Sequence, residues 1–370
     1  MTGCLYISPP VFRGQPERGV IPVVLADVMA SLKNPDPTAI PFLPSTARAV
    51  DIHLPKSTNL VRKLNIIGRT AVALAGDGLT IRKFAYEINQ QIDEWRKLER
   101  PMRAIGDIAN SVGVEAIGIH MMEPPDTRIN SMMKDVDFNL PNIGMGGAIG
   151  SGKHDLLSLC YEFEEALEKS PPGADVYDKI VGFCSAQTAN RLAQEITGSA
   201  ENKWGGYVEY AFWREDQQKW FRGFRIAHYY FGIGLIENGI ASDVGLIPRF
   251  FGYNPGDDFA RILSVFVPEP NSIDLTDIIL ENLINSDSAK VYQDGEKFWG
   301  KWTPEIATVT LIVPKGDGTY LNITKTLVGE DMCHVLWNVN RNSIAIGIEQ
   351  EFASKLKKSM IEAIGLSYKE

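Results

Sequence analysis

Thr2 carries a hydroxyl and, once Met1 is removed, an α-amine on the same residue. Methionine ahead of so small a second residue is normally trimmed in the cytosol, so the mature chain is expected to open with this pair of groups. The amine, with an unperturbed pKa of about 7.7–8.0, can act as general base for its own hydroxyl, directly or through water. A nucleophile of this kind needs a cation nearby to hold down the base's proton affinity, and an acid to fix that cation. It also needs backbone N–H groups for the oxyanion. Residues of each type follow in the chain. Asp27 ends the apolar run IPVVLADV, Arg62 and Lys63 open a hairpin, and glycine turns stand at Gly76 and at GSG, 150–152.

Two further motifs invite chemistry. GAIGSGKH (147–154) matches the phosphate-binding pattern G-x-x-x-x-G-K except at its last position, where His154 replaces the Ser or Thr that would bind magnesium. The preceding LPNIGMGG reads as no buried strand, and no Walker-B partner follows. The segment therefore reads as a strand-to-helix turn whose glycines allow tight packing. Cys4 is a second nucleophile candidate, but it would need processing to become terminal. Among the apolar residues of its strand it reads as core. The acidic pairs Asp257-Asp258 and Glu349-Glu351 read as solvated faces. His228 before two tyrosines, and FWGKW (298–302), fit interface packing or a ligand site equally.

The elements that must position Thr2 follow from periodicity. LYIS (5–8) and 21–28 read as strands, and KLNII, Gly68-Arg69 and TAVALAG as a hairpin closed by a tight turn. The period then changes from about 2 to about 3.6. Ile81, Phe84, Ile88, Ile92 and Trp95 fall on one face of a helix. VEAIGIHM (114–121) reads as a strand. AIGSGKHDLLSLCYEFEEALEKS reads as strand, turn and a helix with Leu156, Cys160, Phe163 and Leu167 inward. A second long helix covers 174–197, with Val176, Ile180, Cys184, Leu192 and Ile196 inward, and WGGYVEYAFW returns to strand. Helices arrive in pairs between groups of strands, which is not the alternation of a doubly wound sheet. Two antiparallel sheets face to face, with helix layers outside, fit better. After a Gly- and Pro-rich stretch, the tail is expected to hold a helix at 274–285, strands at 306–313, 319–328, 334–339 and 343–349, and a terminal helix at 350–364.

Composition narrows the classes. The 370 residues carry a net charge of -9, which disfavours nucleic acid or an anionic membrane as the main partner. No apolar run approaches the roughly 20 residues of a membrane span. The opening MTGCLYISPP lacks the features of a secretory signal. The four cysteines show no paired spacing and read as reduced thiols of a cytoplasmic protein, and the five scattered histidines suggest no structural zinc.

Taken together, residues 1–225 resemble a proteasome β-type subunit of the N-terminal-nucleophile hydrolase superfamily. The resemblance runs through Thr2 at the head of a strand, PVVLADVMAS, RKLNIIGRTAVALAGDG with its helix, Ala148 to Gly152, and ENKWGGYV. It implies an α+β fold, a four-layer αββα sandwich, with residues 226–370 as an α+β extension and insertions at 8–19 and 33–60. It also implies a threonine-type peptidase, with Thr2 as nucleophile and Asp27 orienting a basic residue. Gly76 would give an oxyanion-hole N–H, and Ser151 would hydrogen-bond near the terminal amine. The basic residue is Arg62 by ungapped count from Gly76 and Lys63 by motif. Strand alternation lets only one of them face Thr2. Lys63 is preferred, since an arginine does not share a proton in the same way, and its removal is expected to spare stability. Glu201 stands where the family has Asp, and Trp204 where it has Ser. No metal or organic cofactor is implied. Expected partners are a peptide or protein substrate, further copies of the chain in a homo-oligomer or ring, and an unfoldase or regulator. The alternative is an inactive scaffold that keeps the fold for assembly.

Overall fold

The computed structural model describes residues 3–8, 22–27, 63–95, 101–122, 129–132, 136–168, 176–196, 204, 208–223, 225–254, 261–265, 278–282, 303–339 and 344–368. Thr2, Arg62, Glu201, Asp257-Asp258, FWGKW and nearly all of the 8–19 and 33–60 insertions lie outside these residues. The chain is α+β and divides into two compact units. The first takes the described residues up to Gln187 together with those from Trp204 to Gly223. The second takes Thr188 onward in its helix and the residues from Arg225.

In the first unit, β1 (Cys4–Ser8) and β2 (Val23–Asp27) lie at the centre of an antiparallel sheet. A hairpin of β3 (Leu64–Ile67) and β4 (Thr70–Ala75) begins a second sheet, continued by β5 (Glu115–Met121) and β6 (Ile129–Met132) in the order β3-β4-β5-β6. The first sheet is completed by β7 (Phe138–Leu140), β8 (Gly144–Ile149), β9 (Val208–Arg214) and β10 (Lys219–Arg222), in the order β10-β9-β2-β1-β8-β7. Alternation decides which side chains the two sheets share. Cys4, Tyr6, Val24, Ala26 and Ile149 meet Leu64, Ala71, Ala73, Ile117 and Ile119 in one apolar cluster. The other face of the second sheet, through Val72 and Leu74, is covered by α1 (Gly78–Trp95) and α2 (Pro101–Val112). Ile81, Phe84 and Ile88 form the buried stripe of α1, at the spacing of one helical face. Asp77 starts that helix. Its Oδ1 accepts the Leu79 and Thr80 amides at 2.9 and 3.0 Å, satisfying donors a helix N-terminus otherwise leaves open.

Next to β1, β7 and β8 lies α3 (Lys153–Glu168), with Leu156 and Cys160 buried. Its Phe163 meets Phe183 of α4 (Val176–Ile196) at 4.6 Å between ring centroids. A single inward stripe was expected of α4. Instead Phe183, Cys184, Ser185, Gln187, Thr188, Ala189, Arg191 and Ala193 are all buried, and only the face through Gly182, Ala186, Asn190 and Gln194 is partly open. The reading of LPNIGMGG as no buried strand is also corrected, because Gly144–Ile149 is a buried strand. Gly144 follows a turn with φ 103°, whereas Gly146 reflects close approach. A Cβ on Gly146 would fall 2.3 Å from both the Tyr6 carbonyl oxygen and the Phe138 ring.

The second unit is built on a sheet whose strands are β11 (Ile226–Glu237), β12 (Ile240–Asn254), β13 (Arg261–Val265), β14 (Ile278–Asn282), β15 (Ile306–Pro314) and β16 (Tyr320–Leu327). They run in the order β14-β13-β12-β11-β15-β16, with β11 and β15 parallel. A two-stranded sheet of β17 (Val335–Val339) and β18 (Ile344–Ile348) leads to α5 (Gln350–Ala363), and β19 (Ser367–Tyr368) joins β12. Leu356, Met360 and Ile361 of α5 pack with Tyr229, Phe231, Val309 and Leu311. Two expectations change here. The helix at 274–285 is replaced by β14, whose Ile278–Asn282 pairs with Val265–Arg261, so sheet partnership overrides local propensity. The Gly-rich stretch after 225 is a long hairpin turning at Asn238 and Gly239, both left-handed (φ 50° and 77°) as a two-residue hairpin turn requires.

His228 lies within this sheet, fully buried, with Nδ1 2.6 Å from Thr308 Oγ1. Burial pulls its pKa down to about 3. The unfolded chain binds that proton near the ordinary value of about 6.5. The native state therefore loses stability as pH falls from about 6.5 toward about 3, by up to roughly 1.4 kcal/mol per pH unit, and is unaffected by this group above that window. Urea unfolding from pH 7 to pH 4 measures the slope, and His228→Gln is expected to flatten it.

Candidate functional site

Three backbone and side-chain groups converge where β1 begins. Gly3 and Asp27 form a ring of two hydrogen bonds, the Gly3 amide donating to Asp27 Oδ1 (2.8 Å) and the Asp27 amide to the Gly3 carbonyl (2.9 Å). Lys63 Nζ donates to the same Oδ1 at 2.7 Å, and both charged side chains are fully buried. Their placement follows from the sheets. Asp27 is the last residue of β2, opposite the head of β1. Lys63 precedes β3, and its carbonyl accepts the Leu74 amide at 3.1 Å, which continues the hairpin ladder by one residue. Two charges removed from water this far are retained only as a close pair with further hydrogen bonds.

The remaining described candidates lie at the ends of strands of the same unit. Gly76 follows β4 at the start of α1, where a Cβ would lie 3.1 Å from Thr80 Oγ1 and 3.2 Å from Val114 Cγ1. Ser151 is exposed in the turn between β8 and α3. Cys4 is buried on the inter-sheet face, and its Sγ donates to the Leu74 carbonyl at 3.4 Å. Burial holds its thiol well above the usual range, so it stays protonated and is a poor nucleophile.

Trp204 does not open a polar position beside the turn. Its indole is buried and lies against Gly152, and its Nε1–H donates to Asp155 Oδ2 at 3.0 Å. Neither Gly3 nor Asp155 stood out in the sequence. A glycine amide carries no side-chain signal, and an acid in the first turn of a helix is commonplace.

The phosphate-loop alternative fails on backbone grounds. The first residues of the loop, Gly147, Ala148 and Ile149, are held as a strand beside β1 and do not curl into a cradle. Lys153 Nζ is bound to Asp137 Oδ1 at 2.6 Å, and Asp137 Oδ2 accepts the Ala148 amide at 2.9 Å. We expect ATP with magnesium to leave the melting temperature unchanged. Lys153→Ala should cost at most about 1 kcal/mol, as for other partly exposed pairs. Thermal unfolding of both proteins with and without nucleotide checks this. Among the described residues no group of three or more His, Cys, Asp or Glu could hold a metal ion, and no helix is long and apolar enough to cross a membrane.

No family model matches the chain, and no curated protein matches it. Among solved structures it is similar to the Gly-1 mutant of Anbu from Hyphomicrobium sp. strain MC1. The TM-score is 0.33 at 12% identity, over 60% of this chain and 86% of that one. A second Anbu structure from the same organism aligns with TM-score 0.32 at 11% identity, over 60% of this chain and 87% of the other. Likeness of this degree carries no residue role across.

Proposed function

We propose that the chain is a proteasome-like threonine hydrolase acting on peptide bonds, its first unit a four-layer αββα sandwich with Thr2 as the nucleophile. What supports this is the buried Lys63–Asp27 pair converging on the amide of Gly3, the residue directly after Thr2. On this reading the α-amine and hydroxyl of Thr2, the residue before that amide in the chain, work beside the Lys63 ammonium group. The neighbouring positive charge disfavours protonation of the α-amine and keeps it available as a base near neutral pH.

In this mechanism the Thr2 Oγ attacks the substrate carbonyl carbon while its proton passes to the α-amine. The C–N bond then breaks, the leaving amine takes that proton, and an ester to Thr2 remains. Water attacks the ester carbonyl and gives its proton to the α-amine. The acid leaves as Thr2 Oγ recovers the proton. The Gly76 N–H serves the oxyanion. Ser151 and Glu201 orient the amine, with Lys63 rather than Arg62 supplying the cation. Assembly into a homo-oligomer, which would confine the site, belongs to the same reading, and light scattering on the purified protein reports it.

Intact mass after exposure to a β-lactone or epoxyketone probe tests the core of the proposal. The expected result is one adduct on a chain lacking Met1. The second reading, an inactive scaffold, is favoured by one observation, the indole of Trp204 occupying the turn beside Gly152. A folded, trimmed chain that takes no probe would establish it.

A further inference from the structure

Trp204 is buried, and its surroundings are specific. A Cβ on Gly152 would lie 2.6 Å from indole Cδ1 and 2.7 Å from Cγ, so the ring occupies the space that any other residue at 152 would fill. A Cβ on Gly3 would lie 3.4 Å from Trp204 Cβ, 3.5 Å from Cγ and 3.0 Å from Leu156 Cδ1. Trp204 and Leu156 therefore line the space beside the Gly3 Cα and leave room there for little more than a methyl group. The indole is itself braced, because its N–H is tied to Asp155 Oδ2 in the first turn of α3. A flat ring with one polar corner has few ways to sit once that corner is bound.

We propose that Trp204 is a positioning residue, its side chain filling the space beside Gly152 and Gly3 so that the Gly3 amide stays on the Asp27 carboxylate. The strand has a hydrogen-bonded anchor where Gly3 and Asp27 exchange two bonds. With the space beside Gly3 left open, those bonds compete with water as the chain end frays. Trp204 acts through Gly3 rather than by touching the charged pair. Its consequence for catalysis rests on the proposed role of Thr2, whereas its effect on Gly3 does not.

The experiment reads Gly3 directly. Only two Thr-Gly pairs occur in the chain, at 2–3 and 197–198, so threonine labelled at the carbonyl carbon and glycine labelled with nitrogen-15 isolate the Gly3 amide. Trp204→Ala is expected to move that resonance upfield and reduce its hydrogen-exchange protection about tenfold or more. Trp204→Phe, which keeps a ring against both glycines, should restore most of the protection. Gly152→Ala adds a methyl group that displaces the indole, and should mimic Trp204→Ala. In the Trp204→Ala background the 2.6 and 2.7 Å clashes are gone and only the 3.0 Å approach to Cβ remains, so the same methyl should add little, giving a strongly non-additive cycle.

Should Trp204→Ala fail to fold, Asp155→Ala and Asp155→Asn replace it. The first releases the indole and should lower Gly3 protection, while the second keeps an acceptor and should not. An unchanged Gly3 amide in Trp204→Ala, or in Asp155→Ala where that variant stands in, overturns the proposal. So does a full additional effect of Gly152→Ala without the indole. Probe labelling is measured in parallel. A wild type that takes no probe defeats the Thr2 reading alone, because Gly3 still reports on Trp204.

Discussion

Lys63→Ala is expected to lower stability by about 3–5 kcal/mol and to abolish labelling by a β-lactone probe. The first effect follows from burial. Lys63 and Asp27 are both fully enclosed, and removing one partner of such a pair leaves an uncompensated charge out of water. The sequence alone suggested that this change would spare stability, since a lysine opening a hairpin is ordinarily solvated. The enclosed pair reverses that expectation. The two effects separate in a double variant. Asp27→Asn with Lys63→Met leaves no buried charge, keeps an acceptor for the Gly3 amide and roughly preserves volume. It should regain most of the stability while staying unreactive. Urea unfolding gives the first quantity and the labelling rate the second. A single variant as stable as the wild type would show that the pair is not closed in solution. A double variant that labels at the wild-type rate would remove Lys63 from the chemistry.

How far such a site can be seen in a sequence depends on what kind of group makes it. Asp27 and Lys63 are legible, because each interrupts an apolar run at the point where a strand begins or ends. The short apolar runs LYIS and TAVALA, buried on both faces, and the single stripe of α1 are legible because burial decides residue type. β8 was not, because its Gly146 is dictated by Tyr6 and Phe138, residues far away in the chain. β14 carries an apolar run short enough to suit helix or strand, and only its pairing with β13 decides. The Asn238-Gly239 dipeptide did announce the long hairpin, and the surrounding glycines obscured it. Trp204 stood out only as a departure from a pattern. Its partners, Gly152 and Asp155, become visible once the turn after β8 is folded.

Thr2→Ala is expected to lower probe labelling roughly 10³-fold or more while leaving the fold intact. The change removes one hydroxyl and one methyl group and retains a small second residue, so Met1 should still be trimmed. The Gly3 amide, Asp27 and Lys63 keep their bonds. Only the attacking oxygen is lost. Thr2→Ser returns that oxygen with the same amine beside it, and should label. A second arm leaves the hydroxyl and silences the base. Selective acetylation of the α-amine in the wild type should stop labelling as completely as Thr2→Ala does, because the proton of Oγ then has no local acceptor. Labelling that survives acetylation but not Thr2→Ala would keep the nucleophile and transfer the base to another group. Labelling that survives Thr2→Ala would point to Cys4, and that outcome is costly on physical grounds. The Cys4 thiol is enclosed between the sheets, donates to the Leu74 carbonyl, and is held protonated by its burial, so a probe could reach it only if β1 left the sheet.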